Sequence, residues 1–555
     1  MRIALSQINL HVGNFAFNKQ RMLSDLESAR TMGADLVVFP ELSVCGYPPG
    51  DMLLSESFID SCLSVVESIA QHCRGIAAIV GSPSRNPGRG GKPLYNSAFL
   101  LVEGKVLNAC HKGLLPTYDV FNEYRYFEPA VKFSPVEFGG EVISLTICED
   151  IWNIDAAGLY TFSPPDIINN ERPSVMINIS ASPFAWNHRP ERMRVLSENA
   201  RKFGLPLFSC NLVGGQSDLL LDGGSAVFNG RGEMAGSLKV FDEDLQVFDT
   251  SGLDRSLPLR MPDVPEEEEK FRLIKDALVM GVRDYFRKSG LTKAVVGLSG
   301  GIDSAVCLVI AAEALGRDNV WAVLMPGPYS SDHSVVDAVS LADNLGVSYD
   351  IIPISDTVNS FGDQLGPLFE NTDPGIAEEN IQARTRAVIL MALSNKFGHI
   401  LLNTSNKSEA AVGYTTLYGD MCGALSVLGD VYKTEVYGLA RLINRGGDII
   451  PRNTIVKPPS AELRPNQKDS DSLPDYGSLD AILYSFLEKQ MDMGEIVKAG
   501  HDRELVKQVI ELVCKSEHKR RQSPPILRVS SKCLGLGREM PLEADYSSFL
   551  ASGKP

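Results

Sequence analysis

No stretch of this 555-residue chain reaches the ~18 consecutive apolar residues that a membrane-spanning helix needs. A soluble globular protein is expected, with no membrane partner. Its 10 cysteines include no CxxC pair, and a chain this long needs no disulfide framework, so the thiols are expected to be reduced rather than cross-linked or zinc-bound. Positive charge is also in deficit. Lys and Arg number 53 against 69 Asp and Glu, a formal net charge of -16, which argues against a polyanion-binding surface and against nucleic acid as a partner. Any bound nucleotide must then be met by local cations and main-chain dipoles. Met1-Arg2-Ile3-Ala4-Leu5-Ser6-Gln7 reads as an opening strand rather than a secretory leader. Together these absences point to a cytoplasmic location.

What is present is a large apolar fraction, 44%, enough to fill the two or three cores that this length demands. Up to about residue 250 the pattern alternates strands with helices. Ile3-Ala4-Leu5, Asp35 to Phe39, Ala77 to Gly81, Ala98 to Val102, Val142 to Ile147 and Val175 to Ile179 read as strands, and Gln20 to Met32 and Ser57 to Cys73 as helices. Leu257-Pro258, Met261-Pro262, Val264-Pro265 and the run Glu266-Glu267-Glu268-Glu269 mark residues 251–270 as a linker ending in a solvated helix start. Phe271, Ile274, Leu278 and Val282 then recur at helical spacing, opening a second α/β domain over 271–555. Residues 457–477, polar and punctuated by proline, read as a long functional or mobile loop. No internal repeat is evident.

The most informative stretch is Ser299-Gly300-Gly301-Ile302-Asp303-Ser304. It follows the apolar run Ala294-Val295-Val296-Gly297-Leu298 and precedes a helical pattern. Strand, glycine turn and helix N-terminus together make a phosphate cradle, since glycines admit close approach of main-chain N–H groups and the helix dipole points the same way. The loop lacks the Lys of a Walker A motif and the spacing of a GxGxxG turn. An ordinary glycine turn is the alternative. The hexapeptide resembles the pyrophosphate loop of the ATP pyrophosphatases, which split ATP into AMP and pyrophosphate and thereby adenylate a carboxylate or carbonyl oxygen.

In the first half, Glu41, Lys112 and Cys148 each stand at the end of a predicted strand, where α/β sheets build their sites. Taken singly they read as surface charges and a small buried thiol. Their contexts change that. Phe39-Pro40-Glu41-Leu42, Lys112-Gly113-Leu114-Leu115-Pro116 and Ile147-Cys148-Glu149-Asp150 resemble, in order, the Glu, Lys and Cys segments of the nitrilase superfamily, over residues 1–250. Cysteine attacks as a thiolate and needs a base and a cation. The resemblance casts Glu41 as the base, Lys112 as the oxyanion stabiliser and Cys148 as the nucleophile of amide hydrolysis through a thioester. Likeness to glutamine-dependent members further implies glutamine contacts at Tyr118, Ser182 and His188. His188 stands where the family often carries Lys or Arg, so Arg189 is the alternative. Glu149 either orients Lys112 or is structural.

In the second half, Ile400 to Glu409, Tyr414 to Asp420, Glu379 to Arg386 and Lys457 to Leu463 resemble the NAD synthetase family over about 271–540. That resemblance implies ATP binding by Gly297, Leu298, Ser299, Gly300, Gly301, Ile302, Asp303, Ser304 and Thr404, and deamido-NAD binding by Asn380, Glu409 and Lys519. Asp303 and Glu409 are hard oxygen ligands suited to Mg2+ bridging the ATP phosphates, and Lys433 offers a point charge for a phosphate. Arg384 and Arg386, two apart on a predicted helix, cannot both face one ligand. The basic run His518-Lys519-Arg520-Arg521 suits an anionic dinucleotide better than nucleic acid in so acidic a chain.

The two halves explain one another: one liberates ammonia from glutamine and the other activates a carboxylate to receive it. The expected fold is α/β throughout, an N-terminal nitrilase-like α-β-β-α sandwich followed by a doubly wound parallel sheet of the adenine nucleotide α-hydrolase type. The whole chain resembles the glutamine-dependent NAD synthetases. Resemblance implies a homodimer or higher homo-oligomer, and ammonia is expected to travel internally between the sites, since free ammonia would be protonated and lost. The alternatives are another glutamine-dependent ATP-pyrophosphatase amidotransferase and a non-catalytic nucleotide-binding protein.

Overall fold

The computed structural model describes residues 1–88, 90–154, 158–255, 258–465 and 467–547. The chain separates into two compact units, one over Met1–Pro265 and one beginning at Glu266. Ser256 and Leu257 of the segment read as a linker, and Asn466 of the segment read as a loop, lie outside the described residues.

The first unit opens with β1 (Arg2–Gln7), α1 (Phe15–Thr31), β2 (Leu36–Val38), α2 (Glu56–Ala70), β3 (Ala77–Arg85) and the hairpin of β4 (Leu94–Val102) with β5 (Lys105–His111). It continues through β6 (Val136–Phe138), β7 (Glu141–Ile147), the short α3 (Pro164–Ile168), β8 (Val175–Ser180), α4 (His188–Phe203) and β9 (Leu207–Asn211). A hairpin of β10 (Val213–Gln216) and β11 (Leu219–Asp222), then β12 (Ala226–Phe228), β13 (Met234–Ser237) and β14 (Asp244–Asp249), complete it. Two six-stranded sheets result, in the orders β14-β1-β2-β3-β4-β5 and β13-β12-β9-β8-β7-β6. Three adjacent strands in each, β1-β2-β3 and β9-β8-β7, pair in parallel, and such strands, covered on both faces, read as unbroken apolar runs.

Three apolar layers hold these sheets. Ile3, Leu5, Val38 and Ile79 pack against Leu145, Ile147 and Ile177 between the sheets. Met22 and Leu26 of α1 and Phe58 and Ile59 of α2 cover the first sheet, and Met193, Leu196 and Ala200 of α4 cover the second. This is the α-β-β-α order expected. Helix α1 starts five residues earlier than the apolar spacing predicted, because Asn14 caps it by accepting the Phe17 N–H.

The second unit begins with α5 (Glu267–Lys288), inside the span read as a linker; Glu267 to Glu269 sit at its positive end and Arg287 and Lys288 at its negative end. It is followed by β15 (Ala294–Gly297), α6 (Ile302–Leu315), β16 (Val320–Leu324), α7 (Asp332–Leu345), β17 (Ser348–Ile351), α8 (Ser355–Phe369), α9 (Ile376–Phe397), β18 (Ile400–Asn403), α10 (Lys407–Val412), β19 (Leu425–Ser426) and α11 (Lys433–Ile443). The five strands are all parallel in the order β17-β16-β15-β18-β19. Leu390 of α9 packs on Val295, Val323 and Leu401 of one face, while α6 packs with α5 and α11. The chain crosses from one side of β15 to the other between β17 and β18, so the carboxyl ends of β15 and β18 flank a topological switch point.

Candidate active sites

In the first unit, Glu41, Lys112 and Cys148 all leave the carboxyl ends of strands and converge. Glu41 lies just beyond β2, where β3 presses so close that a Cβ on Gly81 would stand 2.3 Å from Leu42 N. Glu41 is fully buried. Its Oε1 accepts from Lys112 Nζ at 2.8 Å and from Asn96 Nδ2 at 2.7 Å, and its Oε2 accepts the Ala181 N–H at 3.0 Å. Lys112, also fully buried, donates as well to both oxygens of Glu123. Burial pulls its ammonium toward neutrality, but Glu123 and Glu41 overcome that and hold it charged well above the ordinary lysine range.

Cys148 begins a single turn over Cys148–Ile151 with φ of 43°, a left-handed backbone that a non-glycine residue keeps only where its surroundings impose it. Asp150 supplies that imposition. Its Oδ2 accepts the Ile147 N–H, and its Oδ1 accepts the Gly113 and Leu114 N–H groups, so one carboxylate ties the cysteine turn to the lysine segment. Burial, and next the Glu41 charge, push the Cys148 thiol well above its usual value, with Lys112 opposing. The thiol therefore rests protonated and needs a base to attack, which is the role the adjacent carboxylate can fill.

Around this centre, Tyr118 and Tyr160 both donate to Oε1 of Glu149, each at 2.9 Å. Glu149 is thus engaged by tyrosines, while the Lys112 ammonium is hydrogen-bonded to Glu123 and Glu41. Ser182 follows Ala181 and is buried, its N–H bonded to Asn211. His188 stacks on Trp152, which follows the cysteine turn, with ring centroids 5.5 Å apart. Arg189 donates instead to Ser237 on β13. Of the two, His188 is the one packed on the nucleophile segment. Sequence reading missed Glu123, which sits in a charge-rich stretch without periodic signal, and Asn96, a polar residue in an otherwise apolar strand.

In the second unit the expected residues gather around one cavity of about 420 Å³. Gly297, Leu298, Ser299, Gly301, Ile302, Asp303, Ser304, Asn380, Thr404, Glu409 and Lys519 line it, and Gly300 is not among the lining residues. Gly300 has φ of 80°, and a Cβ there would meet Ser334 O at 2.2 Å. Ser304 Oγ accepts the Ser299 N–H and donates to Gly301 O, which closes the loop on the first turn of α6. The segment from Lys457 to Leu463 forms another part of the wall, fixed by bonds such as Gln382 Nε2 to Leu463 O at 2.8 Å.

Lys433 was expected to face a phosphate as a point charge. Instead its ammonium is 2.6 Å from Asp303 Oδ2 and 2.9 Å from Glu409 Oε1, almost wholly buried between them, because two carboxylates in a desolvated wall demand a cation. Asn406 Nδ2 donates to Asp303 Oδ1, and Asn406 Oδ1 caps α10 at Glu409 N–H. Burial raises Glu409 to about 7, with Lys433 opposing and Asp303 adding to the rise. Among the described residues no three or more His, Cys, Asp or Glu side chains converge as a metal cage. Two carboxylates facing a phosphate cradle nevertheless fit Mg2+, which binds through one or two carboxylates plus phosphate oxygens and keeps waters. Lys519 lines the cavity with its ammonium bonded to Gly413 O and Thr415 O, and Asn380 Oδ1 accepts from Thr416 Oγ1. Arg386 lines the cavity while Arg384 turns away to Leu417 O. The basic run is no open patch, since Arg520 is buried against Glu517 and Arg521 donates to Met540 O.

The carbon-nitrogen hydrolase family model matches residues 2–251 and the NAD synthase family model residues 274–523. A glutamine-dependent NAD(+) synthetase of Synechocystis sp. is 44% identical, covering 97% of this chain and 98% of that one. One from Thermotoga maritima is 40% identical over 98% of each. Among solved structures, the glutamine-dependent NAD+ synthetase of Acinetobacter baumannii in complex with ADP superposes with a TM-score of 0.76 at 38% identity, covering 98% of both chains. No helix among the described residues is long and apolar enough to cross a membrane.

Proposed function

The chain belongs to the family of glutamine-dependent NAD(+) synthetases, and from that membership and the two sites we propose how its residues divide the chemistry. Residues 1–250 form the glutaminase domain and 271–555 the synthetase domain. Glu41 takes the Cys148 thiol proton as sulfur attacks the carboxamide carbon of glutamine, and the electron pair of the carbonyl moves to oxygen. Lys112 stabilises that oxyanion, an interaction of the kind worth roughly 3–4 kcal/mol. Glu41 then returns the proton to the departing nitrogen. Ammonia leaves, a thioester remains on Cys148, and water releases glutamate. Tyr118, Ser182 and His188 hold the glutamine.

In the second unit the nicotinate carboxylate of deamido-NAD attacks the α-phosphorus of ATP, pyrophosphate leaves, and ammonia displaces AMP to give NAD. The loop from Gly297 to Ser304, with Thr404, seats the ATP phosphates, and Asn380, Glu409 and Lys519 meet deamido-NAD. Mg2+ held by Asp303 and Glu409 would offset the phosphate charge during transfer. The protein acts in the cytoplasm as a homodimer or larger homo-oligomer, with ammonia passing internally between sites.

The observation that carries this reading is the buried meeting of Glu41, Lys112 and Cys148 in a chain that also folds a glycine loop onto a helix N-terminus, with Asp303 of that loop ion-paired to Lys433. NAD formation from deamido-NAD and ATP, driven by glutamine or by ammonium, tests it. Cys148→Ala should abolish the glutamine-driven rate and spare the ammonium-driven one. Loss of both, or of neither, sinks the two-site scheme.

A further inference from the structure

Asn96 is a fully buried amide in β4, opposite Pro83 of β3, and its main-chain carbonyl accepts the Lys112 N–H at 2.9 Å. Its Nδ2 lies 2.7 Å from Glu41 Oε1 and 3.4 Å from Glu123 Oε2. Its Oδ1 has no hydrogen-bond partner among the described residues. The amide orientation is dictated by this network, because the flipped form would set Oδ1 2.7 Å from a carboxylate oxygen, lone pair against lone pair. The side chain thus leaves one buried acceptor without a bond and turns both N–H groups toward carboxylates.

The consequence falls on the two oxygens of Glu41. Oε1 already accepts from Lys112 and Asn96, which uses both of its in-plane lone pairs. Among the described residues Oε2 accepts only the Ala181 N–H and keeps one lone pair. We propose that Asn96 is a positioning residue that, together with Lys112, closes Oε1 of Glu41 and so directs the Cys148 proton onto Oε2. This rests on the reading of Glu41 and Cys148 given above. The proton leaves Sγ for Oε2 as the S–C bond forms, and passes from Oε2 to nitrogen as the C–N bond breaks, so Oε1 never has to exchange its partners. Asn96 touches no reacting atom; it fixes which atom of the base reacts.

The charged and titratable groups around Glu41 are Lys112, Glu123, Tyr47, Cys148 and Glu149. Asn96→Asp keeps the volume and replaces the donor by a further acceptor, whereas Asn96→Ala removes the group. In the full chain, glutamate release by Asn96→Asp should fall in kcat by about 10-fold or more, a part of the ~10²–10⁴-fold that a general base contributes, with KM for glutamine within about twofold. Asn96→Ala should show a smaller loss, and ammonium-driven NAD synthesis should be unchanged in both. A kcat within twofold in Asn96→Asp, or a loss carried by KM rather than kcat, overturns the proposal. Should that variant also lose ammonium-driven synthesis, Asn96→Ala is read in its place, and joint loss of both activities there makes the residue structural and overturns it too. Cys148→Ala run in parallel separates the two readings: if it keeps glutamine-driven synthesis, the glutaminase assignment fails rather than the role of Asn96.

Discussion

Lys112 Nζ lies 2.8 Å and 2.9 Å from the two carboxylate oxygens of Glu123. With Glu41 on its remaining side, the ammonium is fixed at the end of β5 without solvent. A buried cation that loses one of two anionic partners is left incompletely compensated. Glu123→Gln keeps the shape and one acceptor oxygen but removes the charge. It should lower kcat for glutamate release by at least about 10-fold, a loss of about 1.4 kcal/mol in transition-state stabilisation, while ammonium-driven NAD synthesis holds. Glu123→Ala, which also opens a hole beside Lys112, should destabilise the first unit by about 3–5 kcal/mol, measured by denaturant unfolding.

A pH-dependent prediction follows from Glu409, raised to about 7 chiefly by burial, with Asp303 adding and Lys433 opposing. The folded value lies above the ~4.3 of an unfolded glutamate. The folded form therefore holds a proton that the unfolded chain gives up between those values, and the associated stability is complete below ~4.3 and lost as pH rises through about 7. The unfolding midpoint of the ligand-free second unit should fall between pH 5 and 8, and Glu409→Gln should flatten that slope. If Glu409 holds Mg2+ as proposed, binding of Mg2+ with ATP would displace the same proton, and the half-saturating Mg2+ concentration should drop as pH rises toward 7 and level off above it. A requirement for Mg2+ that ignores pH across this window would remove Glu409 from the cation site.

The glycine loop, the order of strands and helices, and the end-of-strand placement of Glu41, Lys112 and Cys148 were legible because each rests on local pattern. Parallel strands buried on both faces read as apolar runs, and Ser299 to Ser304 is a turn whose chemistry is contiguous. Glu123, Asn96 and the Lys433 bridge were not legible in the same way. Asn96 reaches Glu41 from 55 positions along the chain (96 less 41) and Glu123 reaches Lys112 across an irregular stretch of 11 (123 less 112), and no periodicity encodes either meeting. Lys433 read as a point charge for a phosphate for the same reason: its partners Asp303 and Glu409 are brought to it by the sheet, through the ends of β15 and β18. The N-terminus of α1 was misplaced for a local reason, since the cap at Asn14 outweighs the first apolar repeat.

Gly300→Ala tests the phosphate loop without touching a polar group. The position has φ of 80°, where an added Cβ costs about 1–2 kcal/mol, and that Cβ would sit 2.2 Å from Ser334 O and 2.9 Å from Ser334 Cα. Both obstacles are main chain, so α7 or the loop must shift. Displacement of even about 1 Å in a phosphate seat costs on the order of 100-fold in rate. NAD synthesis should fall by about that factor with either nitrogen source, while glutamate release continues. Retention of synthesis with ammonium would show that the loop does not set the ATP geometry.

Tyr118 and Tyr160 offer a test of how glutamine is held, because both hydroxyls end on the same oxygen, Glu149 Oε1. Burial raises Glu149, and the two tyrosine hydrogen bonds act against that rise. Removing one hydroxyl leaves the other to hold the carboxylate, and removing both leaves a buried acceptor whose loss costs about 1–3 kcal/mol. If Tyr118 binds glutamine by way of Glu149, Tyr118→Phe and Tyr160→Phe should each raise KM for glutamine several-fold with little change in kcat, and the double variant should exceed the product of the two. The coupling in a double-mutant cycle should then reach about 0.5 kcal/mol or more. A KM effect confined to Tyr118→Phe, with no coupling to Tyr160, would instead place the Tyr118 hydroxyl on the substrate itself and leave Glu149 a structural acceptor.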